Sequence, residues 1–204
     1  MTHIGHSEKV LFMRVFIIVL VLIFSLQSWS KADDIRDFEI EGVSIGDSLV
    51  IHFTKKKIEK NIRPNVFERF SDKTFVLTEI QYDSTFQTYD TAQFIFKRYD
   101  KKYQIYAMTG GIFYEKNIGD CYDKMKEISS YISTSIDYVE KNEFNDLKMS
   151  NNFGVYSGIS FFLEKGIISI HCYDWSKKTE NEKNWVDNLR VNIKTDEFED
   201  FLNQ

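Results

Sequence analysis

From Thr74 onward, apolar and polar side chains alternate with a period of two. Phe75-Val76-Leu77-Thr78-Glu79-Ile80 reads as a strand, and in Thr91–Lys97 the residues Ala92, Phe94 and Phe96 alternate with Gln93, Ile95 and Lys97. After a turn at Tyr99-Asp100-Lys101-Lys102 the alternation resumes over Tyr103–Met108. Gly110-Gly111 is predicted to break or bend that strand ahead of Ile112-Phe113-Tyr114. The period then lengthens. Cys121, Met125, Ile128, Ile132, Ile136 and Val139 recur at steps of four and three, which makes one apolar stripe on a long helix with Asp120 as its cap. Beyond it the period of two returns. Ile159, Phe161 and Leu163 share a face, and Glu164-Lys165-Gly166 is a short hairpin loop with glycine where a positive φ is needed. Ile168, Ile170 and Cys172 share one face of the next strand, while Ser169, His171 and Tyr173 share the other. Leu189, Val191 and Ile193 alternate with Arg190, Asn192 and Lys194, and Thr195 caps a last helix burying Phe198, Phe201 and Leu202.

Short alternating strands joined by tight turns point to an antiparallel sheet with helices packed on one face and a wetter second face, an α+β domain. A doubly wound α/β fold would need near-continuous apolar strands alternating with long helices, and the chain has none.

The first residues read as an export signal. Lys9 and Arg14 precede an apolar run from Val15 to Leu26, broken only by Ser25, and Ser30 and Ala32 stand at the spacing a signal peptidase reads. Cleavage is expected after Ala32, leaving residues 33–204 as a single α+β domain in the periplasm or outside the cell. Met13-Arg14 with the same run is a complete signal by itself, so either Met1 or Met13 serves as the start. A retained anchor is the alternative, although the run is short for a bilayer. Removing Lys9, Arg14, Lys31 and Glu8 from the totals of 26 basic and 31 acidic residues leaves 23 against 30, a net charge of −7. An acidic surface repels phosphate backbones and anionic lipid, so neither nucleic acid nor, once the signal is cleaved, a membrane is the expected partner.

Gly46-Asp47-Ser48-Leu49, soon after that signal, resembles the first block of the GDSL (SGNH) esterase family. The resemblance implies Ser48 as a nucleophile. A member would also carry a buried strand before the turn, a Gly-x-Asn-Asp block and a late Asp-x-x-His. Here Glu39–Ile45 mixes charged and apolar residues, neither block exists, and His52 and His171 are the two histidines after residue 32. A serine without a base keeps its proton at neutral pH. A turn followed by a helix cap, with Asp47 or Ser48 capping a short helix whose apolar positions include Leu49, Val50 and Phe53, accounts for the same residues. Thr54 can cap a further turn through Lys55–Lys60.

Cys121 lies on the apolar stripe of the helix and Cys172 on the apolar face of a strand. If that helix packs on that sheet, both sulfurs enter one layer and a disulfide can form in an oxidising compartment. Two buried thiols that never meet is the alternative. A Cys–His dyad is excluded because His171 and Cys172 are adjacent on a strand and point to opposite faces. Two cysteines and two histidines at unrelated positions make no zinc site, so no metal is expected. No Asp-x-Asp-x-Asp-Gly loop or Gly-rich phosphate cradle occurs, so no cofactor is expected either.

Tyr-Asp occurs five times, at 82–83, 89–90, 99–100, 122–123 and 173–174. One reading is strand-end tyrosine followed by turn aspartate. The other is a wet face offering aromatic platforms beside carboxylates, suited to sugars or polar small molecules. Ser169, His171 and Tyr173 form the best-defined trio on that face, with Trp175 and Trp185 extending it. The segment from Ala32 to Leu49, the Asp120-Cys121 helix, the Cys172-Tyr173-Asp174-Trp175 strand and the Asn188-Leu189-Arg190-Val191 strand together resemble a group of small exported proteins of marine alphaproteobacteria. That resemblance implies export and an α+β domain, and transfers no activity and no functional residue. The expected function is therefore a non-catalytic exported module that binds a small molecule or an envelope protein. An exported GDSL-like hydrolase and a structural envelope protein are the alternatives.

Overall fold

Alternation of apolar residues builds most of the strands where the sequence places them. The structure is a computed structural model that describes residues 34–70, 72–115 and 117–204. The expected leader and its cleavage point lie outside the described residues. In chain order the elements are β1 (Glu39–Ile40), β2 (Val43–Ser44), α1 (Lys55–Lys60), β3 (Ile62–Arg63), β4 (Phe75–Gln81), β5 (Thr91–Lys97) and β6 (Ile105–Phe113). They continue with α2 (Ile118–Ser135), β7 (Glu140–Lys148), β8 (Gly154–Leu163), β9 (Gly166–Trp175), α3 (Lys177–Lys183), β10 (Asn188–Lys194) and α4 (Asp196–Leu202). Strands β3 to β10 form one antiparallel sheet in the order β3-β4-β5-β6-β10-β9-β8-β7, and β1 and β2 make a separate hairpin. Two meanders, β3–β6 and β7–β10, are thus joined edge to edge through β6 and β10, with α2 as the connection between them.

One face of this sheet carries the main core. Val76, Ile80, Ala92, Phe94, Met108, Ile159, Phe161, Ile168, Ile170, Cys172, Leu189, Val191 and Ile193 are buried there under α2, α1 and the β1–β2 hairpin. Helix α2 lies over β8, β9 and β10 and buries Cys121, Met125 and Ile132. Its cap is Asn117, whose side chain accepts from Gly119 N at 3.0 Å. Asp120, expected in that role, sits in the first turn and accepts from Asn117 Nδ2 at 2.8 Å. The helix stops at Ser135, so Ile136 is still buried but Val139 stands 74% exposed.

β6 runs unbroken through Gly110-Gly111, paired with β5 and β10 along both sides. The glycines do not bend the strand. They make room, because a Cβ on Gly110 would overlap the Tyr89 ring and one on Gly111 the Thr91 methyl. The hairpin between Leu163 and Gly166 forms as expected, with Gly166 at φ +142°.

On the opposite face, α4 sets Phe198 and Phe201 against Phe75, Leu77, Ile95 and Ala107, with Phe67 beside them, as a second small core. Thr195 caps this helix, accepting from Phe198 N at 3.3 Å. This end of β4 and β5 is apolar on both sides, so it needs cover on both sides. The rest of the second face stays open.

Candidate functional site

The open face is read in register across the strands. Glu79, Gln93, Thr109, Asn192, Ser169, Ser160 and Asn142 stand opposite one another on seven neighbouring strands. Gln93 Nε2 donates to Glu79 Oε1 at 3.0 Å, Thr109 Oγ1 to Asn192 Oδ1 at 2.9 Å and Asn192 Nδ2 to Ser169 Oγ at 3.3 Å. Beside this polar row run rings. Tyr156 and Tyr173 stack at 5.8 Å with 9° between planes, Tyr173 and Trp175 at 5.7 Å with 18°, and Trp175 meets Trp185 at 4.5 Å.

Where the rings meet the ends of β4, β6 and β10, the surface hollows into a groove of about 600 Å³. Its walls are Tyr173, Trp175, Trp185, Tyr82 and Phe113, and its polar lining comes from Glu79, Gln81, Gln93, Glu115, Asn184, Asn188 and Arg190. Trp175 is fixed by two hydrogen bonds from the chain that leads into β10: its backbone N–H donates to Asp187 Oδ1 at 2.8 Å and its Nε1 to the Val186 carbonyl at 3.1 Å. Trp185 is held less firmly and is 40% exposed. Asn184, in left-handed backbone at φ 53°, ends α3 and turns the chain so that Trp185 returns over the groove.

Three charged residues line the groove, Glu79, Glu115 and Arg190. Burial works against the Glu79 carboxylate, but hydrogen bonds from Gln93, Gln81 and Arg63 outweigh it and hold the carboxyl below its ordinary range. Arg63 Nε lies 3.2 Å from Glu79 Oε2, so this charge has its counterion. Arg190 donates Nε–H to Asn188 Oδ1 at 3.1 Å and lies 5.8 Å from the Tyr173 ring centre. Among the described residues no carboxylate pairs with it.

Of the predicted residues, Tyr173, Trp175 and Trp185 line the groove. His171 shares their face but sits one row away, wedged over Gly158 against Phe144, Tyr156 and Tyr173; a Cβ on Gly158 would overlap both the His171 and Phe144 rings. Burial first, and Lys194 second, push the imidazole down to about 4, so it is neutral at pH 7. Its Nδ1 lies 3.5 Å from the Tyr173 hydroxyl, and its Nε2 is buried without a hydrogen-bond partner among the described residues. Ser169 is buried beneath Asn192 and away from the groove. Sequence reasoning found the β9 side of the groove and missed the other side. Arg190 and Asn188 were visible as the non-apolar half of the β10 alternation, but only strand order brings them beside Gln93 and Phe113.

Tyr82 belongs to the groove as well, but the aspartates of the four other Tyr-Asp pairs serve other ends. Asp83 accepts from Thr85 N at 3.0 Å and Asp100 from Lys102 N at 2.9 Å, both as turn residues. Asp90 accepts from Phe113 N at 2.8 Å, and Tyr122-Asp123 lies in α2.

The GDSL stretch forms a turn and a single 3₁₀ turn over Leu49–Ile51, with Ser48 at the cap position. Ser48 makes no side-chain cap, contrary to expectation. Its Oγ donates to the Lys102 carbonyl at 2.5 Å, joining the segment to the strand-end loop before β6. His52 turns instead to Asp47, Nε2 to Oδ2 at 3.1 Å. An imidazole and a carboxylate do meet here, but the serine proton goes to a backbone acceptor.

Cys121 and Cys172 lie at disulfide distance, Sγ–Sγ 2.00 Å and Cα–Cα 6.0 Å. No group of three or more potential metal ligands gathers among the described residues. No described helix is long and apolar enough to cross a membrane. Compared with family models, curated proteins and solved structures, the chain matches none.

Proposed function

We propose that this chain is an exported, non-catalytic binding module whose ligand is a small polar molecule seated in the groove between Trp175, Trp185 and Arg190. The observation that carries this reading is the groove itself. Exposed aromatic side chains, four carboxamides and a guanidinium converge on one hollow of the size small ligands occupy. Aromatic walls supply apolar area with one wet side, and carboxamides offer donors and acceptors together, which is what a hydroxyl-rich ligand needs. The cysteine pair at disulfide distance supports passage into an oxidising compartment. The hydrolase reading draws little support, because the Ser48 hydroxyl donates to a backbone carbonyl and, among the described residues, to no imidazole or carboxylate.

The test is a screen of sugars, amino acids and osmolytes against the full chain, expressed with its own leader, followed by thermal shift and by tryptophan fluorescence. A ligand that raises the melting temperature and quenches emission, with both responses lost in Trp185→Ala, is the expected outcome. A ligand response that survives in Trp185→Ala would move the site elsewhere.

A further inference from the structure

We propose that the groove selects a carboxylate-bearing sugar ring, and that Arg190 is the residue that reads the carboxylate. This rests on the groove being a binding site and names its ligand class. Arg190 is the only base among the residues that line the groove. Glu79 is already occupied by Arg63 and Gln93, so it does not answer the Arg190 charge. One of the five guanidinium donors is spent on Asn188, which fixes the plane of the fork, and the Tyr173 ring stands beside it. A half-buried guanidinium whose other donors meet no partner among the described residues is a receptor for a planar two-oxygen anion.

The surroundings narrow the class. Two acids, Glu79 and Glu115, share the lining, so a phosphate with two negative charges is repelled while a single carboxylate is tolerated. Gln81, Gln93 and Asn184 line the groove with groups that both donate and accept, matching ring hydroxyls. The Trp175–Trp185 corner gives the C–H face of a sugar ring an apolar wall, with Trp185 reachable from solvent.

The experiment uses isothermal titration of the full chain with four probes: a trimer of galacturonic acid, the neutral galactose trimer, a sulfated galactose and phenylalanine. The acidic trimer should bind, weaken with added salt, and lose about tenfold or more in affinity in Arg190→Gln, the loss expected for a charged hydrogen bond. Arg190→Lys should recover only part, because the ammonium lacks the fork. Equal binding of the neutral trimer, or unchanged affinity for the acidic trimer in Arg190→Gln, would overturn the carboxylate assignment while leaving the groove in place. Preference for the sulfated sugar or for phenylalanine would overturn it too. Acid binding that survives in both Arg190→Gln and Trp185→Ala would place the anion site outside the groove and sink both readings. Circular dichroism of each variant confirms that the sheet is intact.

Discussion

Cys121 on α2 and Cys172 on β9 face each other with 6.0 Å between their Cα atoms, so the longest helix is tied to the sheet on the face opposite the groove. The bond closes a loop spanning 51 residues. In the chain-entropy account such a closure stabilises by about 4 kcal/mol. The double variant Cys121→Ala, Cys172→Ala should lose roughly 2–4 kcal/mol in urea unfolding, and reductant should destabilise the wild type but not the variant. An unchanged midpoint under reductant would show that the bond contributes nothing.

The sheet face bearing Cys172 was legible because nearly every second residue of β5, β8, β9 and β10 is apolar, and burial on one face demands it. β7 was not legible. Its sequence, Glu140 to Lys148, holds two apolar residues, Phe144 and Leu147, because an edge strand has little to bury and gains from charge. α3 was missed for a similar reason: it buries only Thr179. The role of Gly110-Gly111 was misread, since the Tyr89 ring that needs the space lies on another strand's approach and no local pattern announces it. Arg190 carries the same lesson for the site, because its neighbours are set by strand order.

His171 sets a pH response. Its folded value of about 4 lies below the ordinary 6.5, so between those limits the unfolded chain binds more protons and stability falls as pH falls. The contribution is intact above pH 6.5 and gone below about 4, and amounts to about 3 kcal/mol. Urea unfolding at pH 7.5 and pH 4 should show His171→Phe losing less stability than the wild type by about that amount. Parallel losses in the two proteins would contradict the burial of the ring.

Gly166 should resist substitution. At φ +142° its hydrogen points at the Lys194 carbonyl and at Ile35, so a methyl group there meets backbone as well as strained conformation. Gly166→Ala should cost about 2 kcal/mol or more, read as a lower thermal midpoint. Gly42, whose Cβ would meet nothing within 4 Å, is the control: only its positive φ of +76° is strained, so its alanine variant should lose less.

Ser48→Ala removes one hydrogen bond, to the Lys102 carbonyl. A loss of about 1 kcal/mol in stability is expected. Assayed with a p-nitrophenyl ester, the wild type and the variant should be equally inert. Turnover by the wild type that vanishes in the variant would restore the esterase reading.

The strand order also governs when the molecule can finish forming. β10 comes last in chain order among the described strands, yet it is the seam between β6 and β9. Until it arrives, the nascent chain holds a four-stranded piece and a three-stranded piece, each with a bare margin. The two pieces cannot close into one sheet before that strand is in place, so the joint between them depends on the segment that follows α3.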